Sequence, residues 1–290
     1  MAIVVVYLCA ILVALGLGLV PLSLLIGLCL AGALTAVVGF FDDHGHIAAR
    51  WRLLAHFVAS LIGLWAIGGM PAVEIGSISL DAFWLRTGFA VLYLVWMLNL
   101  YNFMDGIDGI ASTEAISVCL GAGVLYLLSG DFSLIAGPLL LASAVLGFLL
   151  WNLPPAKIFM GDAGSGFLGI TLGILAIHAA WTNPQYFWAW CILLGVFIVD
   201  ATLTLLRRWV SGAKVYEAHR THAYQFASRH YAAHGTVTIA VAVINIVWLL
   251  PIAVCVVRVG LSGFTGVCIA YAPLVLLAFK FKAGNPEVAR

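Results

Sequence analysis

The chain has 290 residues, 64% of them hydrophobic and only 9% charged, with a formal net charge of +1 and a mean hydropathy of +1.14. This makeup excludes an ordinary water-soluble domain, and the near-zero charge excludes a global field that would gather nucleic acid. The fold class expected is all-α, a polytopic membrane protein whose charges must be read by position.

A helix needs about 20 apolar residues to cross the hydrocarbon core. Ten such runs follow one another near 3–20, 22–41, 53–70, 85–104, 112–129, 132–151, 165–181, 186–206, 236–258 and 262–279. They are separated by turn chemistry at Pro21, at the Gly-Gly-Met-Pro of 68–71, at Gly130-Asp131, around Pro154-Pro155, at Asn183-Pro184 and near Gly260. The first run has no basic n-region and no clear small-residue cleavage site, so it is expected as a retained span. Short connections predict one domain over 1–290. Its polar loops fall at about 42–52, 105–112, 152–164 and 207–235. The six cysteines show no metal-binding spacing and are expected as small buried apolar residues.

Lys and Arg are retained on the cytoplasmic side of a membrane. With the N-terminus inside, Arg50, Arg52, Lys157, Arg207, Arg208, Lys214, Arg220, Arg229, Lys280, Lys282 and Arg290 fall inside, leaving Arg86 and Arg258 outside. That bias predicts both termini and the loop 207–235 in the cytoplasm. The same topology places Asp42, Asp43, Asp105, Asp108, Asp162 and Asp200 at or near cytoplasmic ends of spans, with every histidine but His178 on or near that side; only Glu74, Asp81 and Asp131 among these acids fall outside.

In chain order, "GFFDDHGH" (39–46) places two adjacent acids at a helix end, which a solvated terminus would also explain. "NLYNFMDGIDGIA" (99–111) spaces Asn99, Asn102 and Asp105 three apart on one helix face, which lipid cannot solvate. Asp108 follows in a glycine-rich turn. "WNLPPAKIFMGDAGSGFLG" (151–169) presents Asp162 among small residues whose free N–H groups near a helix start favour phosphate. Asp200 in "FIVDATLTLLRR" reads equally well as a helix-packing contact. "HRTHAYQ" (219–225) sets two imidazoles beside a guanidinium, a group suited to diphosphate, with no evident third ligand for a metal site. His56 and His178 read as structural.

Carboxylates converging from several spans would repel one another without a cation, and hard oxygen ligands near phosphate favour Mg²⁺, with Mn²⁺ as the other candidate. The chemistry that fits is phosphoryl transfer from a soluble nucleotide donor to a membrane-bound acceptor.

Together "GFFDDHGHIAARWRL", "NLYNFMDGIDGIA", "WNLPPAKIFMGDAGSGFLG" and "HRTHAYQ", in this order, resemble the polyprenyl-phosphate N-acetylhexosamine-1-phosphate transferases. These belong to glycosyltransferase family 4, the superfamily that includes phospho-N-acetylmuramoyl-pentapeptide transferase. The resemblance implies an enzyme of the bacterial inner membrane, active on its cytoplasmic face. It would transfer a sugar 1-phosphate from a UDP-amino sugar to undecaprenyl phosphate with release of UMP.

It implies Asp162 as principal Mg²⁺ ligand and Asn152 as a second, near the nucleotide phosphates. Asp42 and Asp43 match the acidic pair, Asp42 as base for the lipid phosphate. Asn99, Asn102, Asp105 and Asp108 match the nucleotide-facing helix and Phe159 the aromatic that stacks on uracil, while His219, Arg220 and His222 match the loop that clasps the diphosphate. The pattern H-R-T-H-A-Y-Q in place of adjacent histidines is similar to the O-antigen-initiating branch. His44 has no counterpart, and a homodimer is left open. The rival expectations are a transporter, which would place its acids near the midplane, and an intramembrane prenyltransferase, whose acidic motif has wider spacing.

Overall fold

The structure, a computed structural model, describes residues 1–45, 47–76, 78–213 and 219–285. His46 of the acidic-pair motif and the cations Lys214 and Arg290 lie outside the described residues. Twelve helices account for most of the described residues. They are α1 (Ala2–Gly16), α2 (Leu22–Gly45), α3 (Ala49–Ala66), α4 (Phe83–Met104), α5 (Ile110–Ser129), α6 (Phe132–Asn152), α7 (Gly161–Ala180), α8 (Gln185–Leu193), α9 (Gly195–Val210), α10 (Ala223–Tyr231), α11 (His234–Val259) and α12 (Gly263–Lys280). A short antiparallel hairpin, β1 (Val73–Ile75) and β2 (Ile78–Leu80), bridges α3 and α4 with Val73 opposite Leu80.

Every apolar run is helical, and the chain is an all-α, multi-pass membrane protein. Seven helices, α2, α4, α5, α6, α7, α11 and α12, are long and apolar enough to cross a membrane, and α8 with α9, bent by 73°, make an eighth if taken as one span. The other two of the ten expected runs fall short for separate reasons. The 15 residues of α1 reach only about 22 Å at 1.5 Å per residue, against a core about 30 Å thick. In α3, Arg50, Arg52 and His56 dilute the apolar pattern. Outward-facing Leu12, Val13, Leu61, Leu127, Leu150, Val247 and Leu276 are exposed apolar side chains that only lipid would cover. The cysteines depart from expectation: Cys119 and Cys191 are buried, but Cys9 and Cys268 are exposed on helix surfaces, and all six are free thiols.

The centre of the bundle is α7, the most buried of the candidate spans. Its sequence "GDAGSGFLGITLGILAIHAA" supplies a small residue at nearly every turn, which lets neighbouring backbones come close where no solvent drives association. A Cβ on Gly169 would strike the backbone of Met97 and Leu98 on α4, and one on Gly39 of α2 would strike the backbone at Asp162 and Ala163. The close approach at Gly39 is what draws the end of α2 against the start of α7, so packing in the core places the acidic motifs beside one another.

Candidate active site

The chain alternates direction through the bundle, so the end of α2, the start of α3, the end of α4, the start of α7 and the segment before α10 meet at one end. Asp162 is the hub. Asn102 donates from Nδ2 to Asp162 Oδ1 at 2.6 Å and to Ser165 Oγ at 3.2 Å. From α3, Arg52 approaches Asp162 Oδ2 at 3.5 Å while forming a close ion pair with Asp42. The second oxygen of Asp42 accepts the Ile47 N–H at 2.8 Å. Asp43 caps α7 by accepting the Asp162 N–H at 3.0 Å.

Asp105 follows α4 immediately, half-buried, with its carboxyl pushed up to about 7 by burial and then by the Asp162 carboxylate across the cleft. Asp108 accepts the Ala156 N–H at 3.2 Å and lies 3.3 Å from His234 Nδ1, and its carbonyl accepts the Thr238 hydroxyl at 3.0 Å.

Two adjoining cavities share Asn102, Asp105, Gly106, Ile107 and Asp162. The smaller, about 290 Å³, is completed by Asp108, Asn152, Phe159, Met160, Gly161 and Ser165. Phe159 is 78% exposed, its ring free to receive a planar ligand. The larger, about 840 Å³, is walled by Arg52, Phe103, His219, Arg220, His222, Tyr224, Gln225, Ser228, Arg229 and His234. His219 and His222 stack with ring centres 5.0 Å apart. Burial, and then His222 and Arg208, hold His219 down at about 4, so near neutral pH it meets an anion as a neutral N–H donor.

Asp200 is the buried support of this wall. It accepts the N–H groups of Ala223 and Tyr224, each at 2.9 Å, and the Thr204 hydroxyl at 3.1 Å, and stands 3.3 Å from His222 Nδ1. One carboxylate from α9 therefore closes the first turn of α10 and fixes the imidazole before it. The Tyr224 hydroxyl then donates to the Phe103 carbonyl at 3.0 Å, joining α10 to the end of α4.

The expected residues are thus brought together, with exceptions in detail. Asn99 lies one turn below Asn102, spends its amide on the Val95 carbonyl at 2.7 Å and lines neither cavity. Asn152 lines the smaller cavity, but its amide is engaged by backbone, accepting from Gly109 at 3.0 Å and donating to Ile158 at 2.9 Å. His44 caps its own helix, donating to the Phe40 carbonyl at 2.8 Å, away from the site. Arg52, Tyr224 and His234 also line the larger cavity, a place the sequence pattern does not give them. Arg52 carried a signal, four residues before His56 on one helix face and ten after Asp42, which its role as a topological charge concealed.

Among the described residues no group of three His, Cys, Asp or Glu side chains stands ready to hold an ion. Two half-buried carboxylates nevertheless face one cleft, and among the described residues no cation is paired with Asp105. That set fits Mg²⁺, which takes one or two carboxylates and completes its shell with water and phosphate oxygens.

The model of glycosyl transferase family 4 matches residues 25–180, a stretch that holds every acid of the cleft but not the 219–222 segment. A probable undecaprenyl-phosphate N-acetylglucosaminyl 1-phosphate transferase of Bacillus subtilis is 28% identical over 190 residues, covering 64% of this chain and 53% of the relative. The phospho-N-acetylmuramoyl-pentapeptide-transferase of Moorella thermoacetica is 33% identical over 190 residues, covering 61% and 58%. That of Wolbachia sp. subsp. Brugia malayi is 32% identical over 158 residues, covering 49% and 48%. The chain spans about half the length of the curated relatives it matches.

Proposed function

The chain belongs to glycosyl transferase family 4, and from that membership we propose that it transfers a sugar 1-phosphate from a UDP-N-acetylhexosamine-type donor to undecaprenyl phosphate, releasing UMP and starting a lipid-linked cell-envelope glycan such as an O-antigen. The observation that carries this reading is the meeting of Asp162, Asp105, Asn102 and Arg52 with His219 and Arg220 around adjoining cavities at one end of a membrane bundle. The excess of Lys and Arg on that side supports a cytoplasmic site in the bacterial inner membrane. The H-R-T-H-A-Y-Q pattern supports a donor other than the muramoyl pentapeptide.

In the mechanism that follows, the smaller cavity takes the nucleoside, with Phe159 stacking on uracil. The diphosphate lies across the shared wall, within reach of His219 and Arg220. Mg²⁺ bound at Asp162 and Asp105 would supply neutralisation of the charge that gathers on the diphosphate. Asn102 fixes the rotamer of Asp162, and Arg52 is the cation poised to meet the incoming lipid phosphate. An oxygen of that phosphate attacks the β-phosphorus, the bridging P–O bond breaks, and UMP leaves with the bridging oxygen.

Both oxygens of Asp42 are engaged, by Arg52 and by the Ile47 amide. This favours single displacement over a covalent phospho-sugar on that residue and makes Asp42 chiefly the holder of Arg52. A phosphate monoester is already largely ionised near neutral pH and needs little help from a base.

The test is transfer of radiolabelled sugar phosphate from a panel of UDP-N-acetylhexosamines to undecaprenyl phosphate by purified protein, with and without Mg²⁺, beside Asp162→Asn. Metal-dependent labelling of lipid, absent in the variant, is expected. Folded protein that labels no lipid with any donor overturns the reading.

A further inference from the structure

After Lys280 the chain turns back, through Lys282 at φ 56° and Gly284 at φ 74°, onto the segment that precedes α10. The Gly284 N–H donates to the Thr221 carbonyl at 2.8 Å. Arg207 donates through Nη1 to the Ala283 carbonyl at 2.6 Å and through Nη2 to Asn285 Oδ1 at 2.5 Å, with the Phe279 ring 5.1 Å from its guanidinium carbon. Ala283 is fully buried in a small cluster with Ala223 and Ala278. Neither Arg207 nor residues 281–285 line the cavities of the site. They act from behind it.

Thr221 sits between the two imidazoles, and its own hydroxyl engages His219 Nδ1 at 3.0 Å. Residues 219–221 have no helix or strand around them, so their backbone is held by individual contacts. Asp200 holds the α10 end of this stretch, and the returning segment holds Thr221.

We propose that Phe281–Asn285 is a brace for residues 219–222, and that Arg207 and Gly284 are positioning residues for the anion-binding groups carried there. The functional half of this inference rests on the donor site proposed above. Preordering the segment removes backbone freedom that ligand binding would otherwise have to remove. The residue types agree. A guanidinium reaches two acceptors at once from one planar fork, which an ammonium does not. Gly284 occupies the left-handed region, and a Cβ there would lie 2.8 Å from Arg207 Cβ and 2.9 Å from the Thr204 carbonyl oxygen.

The experiment uses the full chain in lipid nanodiscs as wild type, Arg207→Lys, Gly284→Ala and Asn285→Asp. Amide hydrogen exchange is followed over 219–226, with donor KM and kcat measured in parallel. Arg207→Lys and Gly284→Ala are expected to speed exchange across this stretch. Each should raise the donor KM about tenfold while changing kcat less, the pattern of a lost binding contribution. Asn285→Asp keeps an acceptor for Arg207 and is expected to match wild type.

If Arg207 serves only as a topological charge, Arg207→Lys is silent in every readout, and that result overturns the brace. Unchanged exchange in Gly284→Ala overturns it as well, and faster exchange with unchanged KM overturns its functional half. A wild-type protein that binds no UDP-N-acetylhexosamine, while exchange responds as expected, sinks the transferase reading and leaves the brace standing.

Discussion

Asp43 accepts a hydrogen bond from the backbone N–H of Asp162, with 3.0 Å between Oδ1 and nitrogen. The exposed acid at the end of α2 is thus the N-terminal support of the helix that carries the half-buried acid of the cleft. Asparagine would keep the acceptor and remove a negative charge from beside Asp162. Asp43→Asn is therefore expected to unfold at the wild-type temperature yet to need more Mg²⁺ for half-maximal activity. Asp43→Ala should lose about 1 kcal/mol as well, the usual worth of a cap. Thermal unfolding and Mg²⁺ titration of both variants separate the two effects.

Asn102 fixes Asp162 through one short hydrogen bond and touches Ser165 with the same nitrogen. In the proposed site Asp162 is a metal ligand, and removing a group that orients one typically costs about 10- to 100-fold in metal affinity. Asn102→Ala is expected to fall in that range by Mg²⁺ titration while its unfolding temperature stays near wild type. An unchanged Mg²⁺ midpoint would show that Asp162 keeps its orientation without the amide.

Burial, and then the Asp162 carboxylate, push the Asp105 carboxyl up to about 7 from an ordinary value of 3.8. Between those values the folded chain keeps a proton that the unfolded chain has released, so stability falls as pH rises through the window and levels off above it. A cation competes with that proton, so Mg²⁺ affinity should rise over the same interval. Asp105→Asn removes the titrating group. In chelator, from about pH 5 to about pH 8, its unfolding temperature should decline less than that of wild type, and the pH dependence of Mg²⁺ affinity should flatten.

Phe159 offers an almost bare ring to the smaller cavity. Stacking of a base on an aromatic side chain is worth about 1–3 kcal/mol, so Phe159→Ala should raise the donor KM roughly tenfold or more while Phe159→Trp stays near wild type. Equal effects of both substitutions would argue for a steric role without stacking.

The acidic cleft was legible in the sequence because Asp42, Asp43, Asn102, Asp105 and Asp162 are costly in lipid and must gather where water and ligands reach. Periodicity located the face of α4 but not its depth, so Asn99 looked equivalent to Asn102 until the structure placed it one turn below the cavity floor. The first apolar run looked long enough to span, yet its helix stops at Gly16, since hydropathy does not mark where a turn begins. In the sequence Arg52 and Arg207 read as topological charges, a role that hides the pairing of one with Asp42 and the hold of the other on the chain beyond α12. Asp200 meets residues 22 to 24 positions later in the chain, a contact made by the bend between helices and written in no local pattern.

Asp200 is 5% exposed and answers two backbone N–H groups of α10. In Asp200→Ala both lose their acceptor in a buried setting, at about 1–3 kcal/mol for each group left unsatisfied. Asp200→Asn keeps one oxygen but turns an NH₂ group toward donors, so it should recover only part of the loss. Because Asp200 lines neither cavity of the site, both variants should lower the transfer rate without moving the Mg²⁺ midpoint. Unfolding temperature, kcat and Mg²⁺ titration together decide it. A wild-type rate in Asp200→Ala would mean that the wall of imidazoles holds its shape without the carboxylate beneath it.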